Sequence, residues 1–204
     1  MERPPEMQVH PGQVYRLAWV FYLVLAIGGS VWIGVRQGRI PLRLFVGVGE
    51  WWVDVGAGVA AGLLLALVWE GGRRRLRLAR ELEQRIGEVL GGLGAPEALA
   101  LAALSGFAEE LFFRGAVQGS LGWLAASLLF ALLHTGPGPA FRLWTVFAAL
   151  AGALFGALMA WRGNLLSPIL AHFLVNAINL RRLGRPGHPL VDSPSGTSEK
   201  EKET

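Results

Sequence analysis

No cysteine occurs in the 204 residues, which excludes a disulfide framework and a thiol nucleophile and leaves the redox compartment unmarked. Lysine is almost missing as well. Of the 19 basic residues only Lys200 and Lys202 are lysines, both near the C-terminal end, and the other 17 are arginines. Most of these arginines stand in short connections beside apolar runs, where they orient a membrane protein, so no nucleic-acid partner is expected. The opening Met1 to Gln13 is polar and Pro-rich, with no basic stretch leading into a short apolar run, and reads without a cleaved signal peptide.

What the chain has in abundance is apolar surface. It is 52% hydrophobic with 28 glycines, and its apolar runs imply an all-α, polytopic transmembrane helical bundle. Six membrane segments are expected at about residues 14–35, 51–69, 97–117, 121–134, 143–161 and 165–180. The fourth is well short of the ~20 residues a full crossing needs. All eight tryptophans (Trp19, Trp32, Trp51, Trp52, Trp69, Trp123, Trp144 and Trp161) stand near segment ends, where an amphipathic ring prefers the headgroup region.

Between the second and third segments, Leu76, Ala79, Leu82, Ile86, Leu90 and Leu93 recur at helical spacing with charge on the opposite face. This predicts an amphipathic helix at the membrane surface, with a solvated cytoplasmic helix as the alternative. Its arginines place it on the cytoplasmic side, and alternation from there puts both termini in the cytoplasm. The organisation expected is a polar segment at 1–13, a single membrane domain at 14–182 and a disordered polar tail at 183–204. The lipid bilayer is thus one partner, in a membrane read as a prokaryotic plasma membrane.

The run "LAALSGFAEELFFRGAVQ" combines membrane-like apolarity with Glu109, Glu110 and Arg114. An acid or arginine at the centre of a membrane helix costs roughly 2.5 to 3.5 kcal/mol, so three in six positions require partners or a wet cavity. Glu110 and Arg114 are i and i+4 and face each other. Glu109 points about 100° away and has no local cation. One reading is a charge network that pins helix packing; the other makes Glu109 a functional acid.

Few other polar residues interrupt the apolar runs. "FALLH" puts Phe130 and His134 one turn apart, and "HFLVN" does the same for His172 and Asn176. Ser167 can cap the last helix with Pro168 at its first position, which sets His172 about one turn into an apolar helix. Glu109, His134, His172 and Asn176 together supply a base, two imidazoles and an amide donor, enough for hydrolysis by an activated water.

In order, "EELFFR", "FALLH" and "HFLVN" resemble the EExxxR, FxxxH and HxxxN motifs of the CPBP family, the CAAX proteases and bacteriocin-processing or immunity proteins, also called Abi or type II CAAX prenyl endopeptidases. The resemblance covers a motif-bearing core at 97–180. It implies an intramembrane endopeptidase with a polar cavity towards the cytosol, acting on a membrane-associated peptide or protein substrate. By the same resemblance Glu109 activates water with His134 assisting, His172 and Asn176 stabilise the oxyanion, and Glu110, Arg114 and Phe130 support the site.

No cofactor is required in this reading. Zinc held by Glu109, His134 and His172 is the alternative, although no HExxH is present. His134 ends a helix and His172 begins one, so simple alternation would part them. A fourth segment that stops inside the membrane domain would let them meet. Two further functions remain open: an ion or proton-coupled transporter, against which no inverted repeat is visible, and a non-catalytic immunity or scaffold member of the same family.

Overall fold

In a computed structural model, residues 11–47, 49–90 and 93–183 are described. Most of segment 1–13 and all but the first residue of tail 183–204 lie outside them. The described residues form helices and no strand. α1 spans Pro11–Gln37, α2 Trp51–Arg75, α3 Arg77–Leu90 and α4 Ala95–Glu110. A π-helical stretch, Leu111–Val117, continues α4 into the short α5 (Gln118–Leu121). α6 (Trp123–Leu133), α7 (Pro139–Arg162) and α8 (Leu166–Leu183) complete the bundle.

Three of these helices, α1, α2 and α7, are long and apolar enough to cross a membrane, and a fourth crossing arises only if α3 and the α4–α5 run count as one span bent by 107°. The six expected segments are therefore not six such spans. α6 has 11 residues, about 16 Å of helix against a ~30 Å hydrocarbon layer. The α4–α5 run carries Glu97, Glu109, Glu110 and Arg114, and α8 carries His172, Asn176, Arg181 and Arg182, which keeps both below the apolarity of a plain span.

Small residues decide how closely α8 is held. A Cβ on Gly58 would lie 2.7 Å from the Ser167 carbonyl oxygen, and one on Gly62 would lie 2.9 Å from that of Ala171. On the other side, a Cβ on Gly106 would stand 3.0 Å from the Phe173 backbone nitrogen. Glycine at these three positions lets α8 pack backbone to backbone between α2 and α4, the close approach that substitutes for a hydrophobic driving force within lipid.

A buried acid in α2, Asp54, secures the start of α8. Its carboxylate pairs with Arg162 and accepts from Asn164 Nδ2 at 3.2 Å, while its backbone carbonyl accepts from Ser167 Oγ at 3.0 Å. Asn164 Oδ1 also accepts from the Leu166 backbone N–H at 3.0 Å, so Asn164, and not Ser167, caps α8. Ser167 is left free to bond α2 because the helix begins before it.

The predicted amphipathic helix is α3, yet its apolar face is turned to protein as well. Ala79 and Leu82 are fully buried against Trp69 and Ala140. The Trp69 indole donates to Glu83 at 3.0 Å, and Arg182 of α8 stands 2.9 Å from Glu70 of α2. α3 thus closes one end of the bundle, because its apolar stripe finds aromatic partners on α2 and α7.

Candidate active site

At the end of α4 the two adjacent acids enter different surroundings. Glu110 is completely buried and sits 3.1 Å from Arg114 Nε. Nη2 of Arg114 donates to the Gly152 carbonyl of α7 at 3.1 Å, and its guanidinium lies 4.5 Å above the centre of the Phe130 ring. The other oxygen of Glu110 lies 2.8 Å from His172 Nδ1 on α8. One carboxylate therefore joins α4, the π stretch and α8. An intramembrane charge is retained only with such partners.

The π stretch begins directly after this acid. A π turn opens the i to i+4 ladder by one residue and is common at functional sites. Here side chains partner the carbonyls within it: Gly115 accepts from Arg36 at 3.1 Å and Ala116 from Ser120 at 2.9 Å.

Glu109, about 100° around the helix, faces a cavity of about 420 Å³. Its Oε2 is buried, has no direct hydrogen-bond partner among the described residues and lies 3.7 Å from His134 Nε2. His134 follows the last residue of α6, and its Nδ1 sits 2.7 Å from the Phe130 carbonyl oxygen. A carbonyl only accepts, so that hydrogen resides on Nδ1, and in the neutral form of the ring Nε2 turns its lone pair toward Glu109.

The two histidines that alternation would have parted are neighbours. Phe130 stacks on His134 with centroids 4.3 Å apart and meets His172 edge-on at 5.9 Å. The short α6 makes this meeting possible, since it brings His134 down beside α8 without crossing the full layer. Phe155 stacks on the far side of His172 at 5.2 Å and fixes its plane. Asn176, one turn on, donates through Nδ2 to Ser105 Oγ at 2.9 Å, and Ser105 donates to the Ala102 carbonyl at 3.2 Å. An amide nitrogen has two hydrogens, so one remains for the cavity.

Glu109, His134, His172 and Asn176 all line this one cavity, whereas Glu110, Arg114 and Phe130 stand behind it. Its outer wall is apolar and aromatic, with Phe141, Trp144 and Phe147 from α7 facing Ile86, Val89 and Leu90 of α3. Two lining residues, Ser105 and Tyr22, did not emerge from the sequence as site candidates.

Catalytic zinc needs three protein ligands about 2 Å from one point. Among the described residues no three His, Asp or Glu groups are placed to hold a metal ion in that way, and with Nδ1 of His172 on Glu110 its Nε2 is left for the cavity.

Residues 92–178 match the family described as Type II CAAX prenyl endopeptidase Rce1-like. The match contains every residue of the three motifs, so the resemblance read from them is shown over that stretch. A Bacillus subtilis (strain 168) protein described as "Uncharacterized protein YpbD" is 39% identical over 83 residues, which is 41% of this chain and 43% of that protein. The chain thus spans less than half the length of this curated relative. No solved structure matches. Over those residues the likeness is to a family of proteases, and three helices among the described residues are long and apolar enough to cross a membrane.

Proposed function

We propose that the chain is an intramembrane endopeptidase, CAAX-protease-like, that hydrolyses a peptide bond of a membrane-associated substrate. The observation that carries this reading is the facing pair Glu109 Oε2 and His134 Nε2 at 3.7 Å, two acceptors across a gap on the wall of a cavity. One water bridges such a pair by donating a hydrogen to each, which turns its oxygen lone pairs toward the substrate carbonyl.

In the proposed reaction the water oxygen bonds to the carbonyl carbon as its proton passes to Glu109. The carbonyl oxygen becomes an oxyanion, which takes the free N–H of Asn176 and, in the doubly protonated form of the ring, Nε2–H of His172. Collapse breaks the C–N bond, and Glu109 returns the proton to the leaving amine. Glu110 and Arg114 take no part in proton transfer; they hold His172 and the π stretch in place. The apolar wall between α3 and α7 suits an apolar peptide segment, and the arginine distribution favours both termini on the cytoplasmic side of a membrane read as a prokaryotic plasma membrane.

The test is cleavage of a random-sequence peptide library by purified protein in detergent. Activity in the wild type that is lost in Glu109→Ala supports the reading. Ion flux in liposomes with no peptide cut by any preparation replaces it with the transporter.

A further inference from the structure

The cavity face of α8 does not end at the HxxxN motif. His172, Asn176 and Asn179 recur at spacings of four and three residues, which is one stripe of a helix, and all three line the cavity. Leu180 and Leu183 continue the lining to the end of α8, where Leu183 Cδ2 lies 3.9 Å from the place a Cβ on Gly87 of α3 would occupy. The cavity therefore runs on past the candidate catalytic groups, along α8 and towards α3.

Several polar groups along this run already have partners within the chain. Glu83 accepts from the Trp69 indole, Arg85 pairs with Glu81 at 2.7 Å, and Asn176 donates to Ser105. Asn179 differs. Its Oδ1 is buried and has no hydrogen-bond partner among the described residues. A buried acceptor left unpaired carries the whole desolvation cost of that group, so it calls for a donor from outside the chain.

We infer that Asn179 is a substrate-binding residue for the proposed hydrolysis: its amide oxygen accepts a backbone N–H of an extended peptide that runs along α8 from the Glu109–His134 gap towards α3. The inference rests on the protease reading of that gap. The walls that α3 and α7 turn to this run are apolar and aromatic, so a peptide N–H entering between them loses its water and needs an acceptor. An asparagine amide supplies one, and its Nδ2 has hydrogens to donate to a peptide carbonyl. Recognition of this kind reads the backbone, not a side chain. Asn179 stands about 4.5 Å along the helix axis from Asn176 and about 10 Å from His172. An extended chain advances about 3.3 Å per residue, which sets the bonded N–H about one to three residues from the scissile carbonyl, on the α3 side of it.

The experiment compares wild type, Glu109→Gln and Asn179→Leu, full-length and purified in detergent, on an internally quenched peptide chosen from a random-sequence library because the wild type cuts it. Copies of that peptide carry a single backbone N-methyl group, moved one position at a time, and each methyl removes one N–H. Asn179→Leu keeps the branched shape and removes the acceptor. It is expected to raise KM roughly 3- to 10-fold, the scale of one neutral hydrogen bond, with kcat unchanged and a thermal midpoint equal to or above that of wild type. N-methylation at one position within about three residues of the scissile bond should raise KM by a similar factor in wild type and add nothing in Asn179→Leu. With Glu109→Gln inactive, three results overturn the inference and leave the proposed function standing: a wild-type KM in Asn179→Leu, a loss confined to kcat or to thermal stability, or methylation penalties equal in the two proteins at every position. A wild type that cuts no peptide, or a Glu109→Gln variant that still cuts, overturns the proposed function and the inference with it.

Discussion

Nδ1 of His172 lies 2.8 Å from Oε1 of Glu110, 62 positions earlier in the chain, and Arg114 holds the same carboxylate from the other side. Two adjacent acids are separated by this contact into an anchor and a free group. Glu110 binds two cationic or proton-donating partners with no exposure, while its neighbour Glu109 faces the cavity.

The anchor predicts a stability effect. Removing one member of a buried ion pair costs about 3 to 5 kcal/mol, because the other charge is left without compensation. Arg114→Ala should show a loss of that size in thermal or denaturant unfolding in detergent. Arg114→Lys keeps the charge but lacks the planar fork that reaches both Glu110 and the Gly152 carbonyl, so its midpoint should fall between the two. Equal midpoints for Arg114→Ala and wild type would show that the pair does not hold the bundle.

Glu109 predicts the opposite pattern. Glu109→Gln preserves the shape of the side chain and removes its basicity, so turnover should drop below detection while the unfolding midpoint stays within a degree or two of wild type. The measurement pairs peptide cleavage with thermal unfolding on the same preparation. A larger loss of stability in Glu109→Gln than in Arg114→Ala reverses the assignment of the two acids.

The separation of these acids was legible in the sequence because helical spacing fixes azimuth, and one turn still joins Glu110 to Arg114 despite the π stretch that starts between them. The π stretch itself was not legible, since its widened turn is set by contacts with α1 and α7 rather than by local composition. Asp54 was overlooked within an apolar run, and its partners Arg162 and Asn164 are more than 100 positions away, beyond any local pattern. Tyr22, which lines the cavity, was not singled out in the sequence, although the stripe of Tyr22, Ala26, Gly29 and Ile33 has small residues that mark a packed face. Six apolar runs were expected to be membrane segments, and three of them form helices long and apolar enough to cross a membrane by length and composition; the α4–α5 run and α8 are the ones that also carry the site's charged and polar groups.

The glycine seats of α8 carry the site's precision. Gly62→Val would drive new methyl groups against the Ala171 carbonyl, next to His172. Overpacking of this kind typically costs 1 to 3 kcal/mol, and the shift it forces in α8 displaces the imidazole from Glu110. The variant is expected to lose stability on that scale and to lose kcat by roughly a hundredfold. Wild-type kcat in Gly62→Val, measured on the folded fraction, would mean that α8 tolerates displacement.

Metal dependence separates two chemistries that use the same side chains. If Glu109 and His134 activate water directly, prolonged chelation with a strong zinc chelator should leave peptide cleavage near its starting rate. The controlled measurement follows both activity and bound metal through chelation and re-addition. Zinc that restores activity to a chelated, inactive sample makes His134 and His172 ligands, with His172 binding through Nε2 while Nδ1 stays on Glu110.

Asn176 gives the most direct test of the chemistry. Its Nδ2 donates one hydrogen to Ser105 and has a second to offer the cavity, one helical turn from His172. Because Ser105 holds the amide in place before substrate arrives, the second N–H is aimed without reorganisation at the moment charge develops, which is where a fixed donor contributes most. Asn176→Ala should therefore lower kcat by roughly 10² to 10³ with little change in KM, the pattern of a contact made only in the transition state. Ser105→Ala leaves the amide present but unheld, so its loss of kcat should be smaller and in the same direction. A rise in KM at constant kcat in Asn176→Ala would instead make this residue part of substrate binding, and the oxyanion would then rest on His172 alone.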